Sequence, residues 1–360
     1  MPDLPSVDLT RHRIDTFTDT AAPHHTGPAP INPQPAGLAQ AIVRALAEAA
    51  PATWSQLNGE FSIAGDEEAM QAEALAGQRI HSIPIDAEVA EMVRLHRRTS
   101  VGPQGPWLRW MFTCDREGNL KVGLDHGAIE LPPDYLLSPQ AYRQDIERHP
   151  RADIPLWLLA YMGDDGRQLR SAGQARSAER ITFSEDRVAD HEVPPLPLLW
   201  ARIAVLASVG RGSHASVTPV TDPSFQRYVG DSGSCLLARL PGDRGVLSGG
   251  RDDSRLLTAA YRGTTDWPDL YRGAPAWLHN LYLDPRAAAG RLSFCYWWAG
   301  GHWYRAPLPG AAGVPDIDQP WTCVEETAHA IPDVWSATST AGLMTQTLLA
   351  IGVEPADEAD

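Results

Sequence analysis

Cysteine is scarce in this chain of 360 residues, with four in all and no two in a Cys-x-x-Cys pair. Cys114, Cys235, Cys295 and Cys323 are widely spaced, which argues against a disulfide framework or a zinc site. Three of them sit in apolar, strand-like runs and read as small core hydrophobes. No run of about 18 apolar residues occurs, so nothing reads as a membrane span. Residues 1–13 lack a basic start followed by an apolar run, so no signal peptide is expected and a cytoplasmic location follows. Positive charge is also short: 30 Lys and Arg stand against 45 Asp and Glu, a formal charge of −15. That balance disfavours nucleic acid and anionic membranes, which need a basic face. It suits either plain solubility or an acidic face that meets a basic partner.

Metal and phosphate signatures are missing as well. There is no His-Glu-x-x-His, paired-His or Asp-rich loop. The Gly-rich stretch 248–251 lacks the Lys-Ser/Thr that a phosphate loop needs and reads as a turn. No metal and no cofactor is expected.

What the chain does hold is Trp, 12 of them, with 30 Gly and 31 Pro. Trp serves both cores and interfaces, and so much Gly and Pro excludes a long helical bundle. The length suits two domains. Residues 1–36 read as a flexible, proline-rich tail, in which His24 and His25 make a weak metal candidate. A first unit follows at 37–163, a linker or long loop at 164–196, a second unit at 197–352 and an acidic tail at 353–360.

In the first unit, apolar spacing predicts helices over 38–50, 86–97 and 138–148, with Asp86 and Ser138 at their starts. Residues 54–64 alternate as a strand, and 80–85 return as a second. The acidic stretch 65–78, with Asp66, Glu67 and Glu68, reads as a solvated connection, a hairpin loop or short helix. Residues 107–114 and 119–125 form a hairpin. In the second unit, helices are expected over 198–207, 253–261 and 339–351, and strands over 213–219, 235–240 and 245–247. Residues 277–305 read as two aromatic strands joined by a turn, echoing 107–125. The expected fold class is therefore α+β: antiparallel sheets with helices packed on one face, in two similar tandem units.

The loudest motif is Gly230-Asp231-Ser232-Gly233, the nucleophile signature of chymotrypsin-type proteases. That mechanism needs a distant His and Asp, and the nearest preceding pair, His214 and Asp222, is far too close in sequence. A hairpin turn is the simpler reading. Residues 212–214 and 225–228 could form a polar pocket edge with Arg251, or a structural loop. Asp125 and His126 are adjacent at a strand end, and strand neighbours point to opposite faces. No residue set argues for an enzyme.

The first half resembles the YezG-type immunity proteins and the antitoxin of the tuberculosis necrotizing toxin. Trp54, Leu57, Glu60 and Phe61 carry that resemblance, with 107–112, the turn and strand 115–125, and 138–158 with Tyr142, Asp145, Pro150 and Trp157. It covers roughly residues 38–162. The second half resembles a domain attached to such proteins in actinobacteria. The resemblance implies a protein that blocks a cognate secreted toxin by steric cover, an NAD glycohydrolase in the antitoxin's case. Hot spots would be aromatics ringed by charge. The candidates are Trp110, Asp115, Glu117 and Asp125 in the first unit, and Trp298, His302 and Trp303 in the second. The alternatives are a small-molecule-binding or regulatory module around Trp298, and a hydrolase using Ser232.

Overall fold

A computed structural model describes residues 20–21, 34–179, 187–213, 219–307 and 323–353. Nearly all of the tails expected at 1–36 and 353–360 lies outside these residues, as do His24, His25 and His214. The chain divides into two units, Met1–Leu158 and Leu159–Asp360. Both are α+β, each built on one antiparallel sheet.

The first unit runs β1 (Thr20–Ala21), α1 (Pro35–Ala49), β2 (Gln56–Ala64), β3 (Glu67–Ala76), β4 (Arg79–Ser82), α2 (Ala87–Thr99), β5 (Arg109–Asp115), β6 (Asn119–Asp125) and α3 (Pro139–Arg148). Its sheet order is β1-β6-β5-β2-β3-β4. The helix starts are the expected ones: the Asp86 side chain accepts from Val89 N at 2.8 Å and Ser138 from Ala141 N at 3.2 Å. Basic residues in the last turn of α2 suit its dipole.

The period of two decides which sheet face is buried. Leu57, Phe61, Ala72, Ala74, Trp110, Phe112 and Cys114 alternate onto one face, against Ile42 and Leu46 of α1 and Val89 and Val93 of α2. Burying a side chain the size of Phe61 is worth roughly 3 kcal/mol. Gly59 interrupts the β2 series because a Cβ there would run into the Phe112 ring. The opposite face carries no helix from this cluster.

A buried charge network ties the helices together. Asp145 accepts from Arg97 at 2.6 Å and Arg151 at 3.3 Å. Arg97 also donates to Trp107 O at 2.9 Å, and Arg151 to Pro106 O at 2.7 Å and His126 O at 2.9 Å. The loop before β5 is thereby held by two guanidinium groups.

The stretch 65–78 corrects the expectation of a loop or helix: most of it is β3. Residues Gly65 and Asp66 make a two-residue turn, with Gly65 at φ +55°, so the chain pairs back on β2 at once. The acidic run is not merely solvated either. Asp66 pairs with Arg148 and Glu68 with Arg94, while Glu67 accepts from Ser138.

In chain order α4 (Leu156–Gly163) comes next. The second unit then holds α5 (Ala172–Glu179), β7 (Arg187–Val188), α6 (Leu196–Ser213), β8 (Val220–Thr221), β9 (Phe225–Gly230), β10 (Gly233–Leu240), β11 (Arg244–Arg251), α7 (Arg255–Tyr261), β12 (Phe294–Ala299), β13 (His302–Arg305), α8 (Cys323–Ala330), α9 (Pro332–Trp335) and α10 (Ala337–Ala350). The sheet order is β7-β13-β12-β11-β10-β9-β8.

Here both sheet faces are covered. Leu199, Ile203 and Leu206 of α6, with Ile331 and Val334, pack against Leu237, Leu247, Tyr296, Trp298 and Trp303. The other face lies under an irregular segment, from which Leu270, Leu278, Leu283 and Leu292 meet Val246, Cys295 and Trp297. Double cover explains why β12 reads Phe-Cys-Tyr-Trp-Trp without alternation: each residue is buried.

Three expectations need correction in this unit. Residues 277–305 are not two strands throughout, because 280–282 and 285–287 are 3₁₀ turns and the hairpin is only β12–β13. Its turn is Gly300-Gly301, at φ +58° and +84°, a pair of angles that glycine adopts without strain. The described parts of the expected linker or long loop, 164–179 and 187–196, belong to the second unit. Gln168 is 2% exposed, and its side chain brackets Leu292, donating to the carbonyl and accepting from N–H at 2.7 Å each. Arg170 donates to the carbonyls of Leu278 at 2.9 Å and Ala274 at 3.0 Å. These two side chains clasp the irregular cover. Finally, the units are not two copies of one plan. The hairpin β5–β6 joins β2, the first strand of its meander, whereas β12–β13 joins β11, the last.

Candidate partner-binding face

The seven expected contact residues fall into two groups. Trp110, Trp298 and Trp303 are buried core residues, so the expectation that they anchor a partner is overturned. Trp110 stacks on Phe61 and His96, with centroids 5.0 and 4.3 Å away. Trp298 and Trp303 pack edge to face at 5.3 Å. The sequence could not show this, because the helices that cover these rings, α1 and α2 in the first unit and α6 in the second, lie elsewhere in the chain. With these rings inside, the aromatic wall of a small-molecule site at Trp298 is also absent.

The four charged candidates reach the surface. Glu117 is exposed in the β5–β6 turn. Asp115 closes that turn by accepting from Asn119 N at 2.8 Å and Nδ2 at 2.7 Å, and the side-chain bond holds its carboxyl below the usual range. Asp125 accepts from Gly127 N at 2.7 Å and Ala128 N at 3.1 Å. His302, beside the glycine turn, meets Asp190 at 2.6 Å, and this contact holds the Asp190 carboxyl low. Asp190 also accepts from Trp303 N at 2.7 Å, which fixes the pair to the sheet end.

The first unit gathers three of these acids. By register, Asp115 and Asp125 lie on the sheet face opposite α1 and α2, together with Arg109, Met111 and Thr113 of β5 and Lys121 of β6. From β2 the same face takes Gln56, Asn58, Glu60 and Ser62, and from β3 Gln71 and Glu73. Three cross-strand rows result: Glu73–Asn58–Thr113, Gln71–Glu60–Met111 and Ala69–Ser62–Arg109.

A cleft of about 460 Å³, open to solvent, sits on these rows. Tyr135, on the 3₁₀ turn Pro133–Tyr135, forms its rim. Its hydroxyl donates to Gln71 Oε1 at 3.0 Å. Arg109 forms an ion pair with Glu60 and lies 5.7 Å from the centroid of the Tyr135 ring. Burial raises the Glu60 carboxyl above its usual range, against the opposing pull of Arg109. Burial likewise pushes the Tyr135 hydroxyl up. Glu73 is half-buried on the cleft wall and makes no side-chain hydrogen bond or ion pair to the described residues. The cleft has a signal in the sequence that the expectations drawn from it do not use: the alternate β2 residues Gln56, Asn58, Glu60 and Ser62 are all polar.

The Gly-Asp-Ser-Gly motif is the two-residue turn between β9 and β10, and Ser232 donates to the backbone carbonyl of His329. The 225–228 segment is strand β9. Among the described residues no His, Cys, Asp and Glu group could hold a metal ion, and no helix is long and apolar enough to cross a membrane. Comparison with protein-family models returned no match, and comparison with curated proteins returned none either.

Proposed function

We propose that this chain is an immunity protein that acts in the cytoplasm by binding a cognate secreted bacterial toxin, of the NAD glycohydrolase type, and covering its active cleft. The observation that supports this most is the polar sheet face of the first unit. An antiparallel sheet needs only one face in the core, and here the other carries a cleft and the acids Glu60, Glu73, Asp115 and Asp125 against Arg109 and Lys121. With the chain's charge of −15, such a face attracts a basic surface and speeds encounter with it. Steric blocking asks nothing more of the protein than affinity and position.

The test is co-expression with the toxin domain encoded in the neighbouring reading frame. The expected result is restored growth and a complex that survives size-exclusion chromatography. A toxin domain that keeps full activity with the purified chain in molar excess would refute the proposal.

A further inference from the structure

We infer that the open face of the first unit's sheet is a docking surface for a basic protein, and that the cleft beneath Tyr135 receives one arginine side chain of that partner. The inference rests on the binding role proposed above and names the chemistry of the contact.

The chain already shows how this face holds a guanidinium. Arg109 pairs with Glu60 and lies against the Tyr135 ring. One row away Glu73 offers a second carboxylate, and no arginine among the described residues answers it. Asn58 stands between Glu73 and Thr113 across three strands, and Glu60 and Gln71 lie in the adjoining row. Cross-strand neighbours are about 5 Å apart and diagonal ones about 7 Å. One planar guanidinium, with five donors in a fixed fork, can therefore reach the Glu73 carboxylate and the amide or hydroxyl oxygens around it.

The walls fit the rest of the side chain. Met111 and Tyr135 flank the cleft and suit an aliphatic stem under a charged head. A lysine would satisfy the charge, but its compact ammonium cannot span two rows of acceptors. An anion would meet Glu60, Glu73 and the nearby Asp134, with Arg109 already engaged. The raised Glu60 carboxyl fits the same picture, since an incoming cation favours its ionised form.

The test uses the full chain and two probes. The first is arginine amide, titrated into isotope-labelled protein while the side-chain amide signals of Asn58 and Gln71 are followed. Both are expected to shift saturably, with no response to glutamate amide. Glu73→Gln should weaken binding about fivefold, as for a partly exposed ion pair. Glu147→Gln, on the exposed side of α3, should leave it unchanged. Saturation elsewhere with both amides still, or equal affinity in Glu73→Gln, overturns the inference. Glu73 is the site of choice because Glu60→Gln would also break the pair with Arg109 and could disturb folding.

The second probe is the neighbouring toxin domain. Glu73→Arg is expected to weaken that complex at least about tenfold through like-charge contact. If the toxin is bound and neutralised equally by Glu73→Arg, the immunity role stands and the docking face falls. If arginine amide fills the cleft but the toxin domain is not bound, the cleft assignment stands and the immunity role falls.

Discussion

His96 should make the first unit lose stability as the solution turns acid. The ring is 2% exposed, stacks on Trp110, and its Nδ1 accepts from Trp107 Nε1 at 3.2 Å. Accepting there requires the neutral ring with its proton on Nε2. Burial lowers the His96 pKa from 6.5 to about 4. Because the folded value lies below the unfolded one, the unfolded chain takes up the proton first as pH falls. Stability is therefore complete above about pH 6.5, declines below it, and stops declining once pH passes about 4. At 1.36 kcal/mol per tenfold, the whole effect is about 3 kcal/mol, with roughly 2.5 kcal/mol gone by pH 4.5. His96→Gln supplies an amide oxygen for Trp107 and does not titrate. Urea unfolding of both proteins across this range should show the variant gaining on the parent by about that amount as pH drops. A constant difference between the two curves would refute the argument. So would a His96 ring signal that titrates near its ordinary value.

Three further outcomes are expected. Trp110→Ala should cost about 3–5 kcal/mol in urea unfolding, as a core ring does, and a loss below about 1 kcal/mol would contradict its burial. Asp145→Ala leaves Arg97 and Arg151 without their shared carboxylate, so a destabilisation of about 3–5 kcal/mol is expected, and an unchanged melting temperature would show that the network contributes little. Lys121 is the chain's one lysine and is exposed on the open sheet face. Acetylation of its amine should slow several-fold when the toxin domain is bound, with the N-terminal amine as reference. Equal rates would place the contact elsewhere.

Local chemistry was readable in the sequence, and cover was not. Asp86 and Ser138 marked helix starts because a side-chain oxygen there answers a free N–H, and this depends only on near neighbours. The strands β2, β5, β6 and β10 showed themselves by alternation or apolar runs. Residues 67–76, Glu-Glu-Ala-Met-Gln-Ala-Glu-Ala-Leu-Ala, are strong helix formers and still make a strand. The tight turn at Gly65 and the pairing with β2 outweigh that preference, as is common for strands. The tryptophans of β12 and β13 misled for a related reason. A ring count says nothing about whether a second layer lies above the sheet. For Trp298 and Trp303 that layer is α6 with Ile331 and Val334, and for Trp297 it is an irregular segment held in place by Gln168 and Arg170, more than a hundred positions earlier.

That distance sets an order of events in folding. The strands from β8 to β11 pair with immediate neighbours and close short loops at small entropic cost. The clasp from Gln168 to Leu292 spans 124 positions, and that from Arg170 to Leu278 spans 108. Contacts of such separation form late. During synthesis the clasp residues leave the ribosome well before their partners, by on the order of ten seconds at ordinary elongation rates. Strands β8 to β11 come between the two, and from the end of β11 at Arg251 to the last lid residue at Leu292, about 40 positions, the apolar face of the growing sheet has no lid for roughly 2–8 s and is open to aggregation.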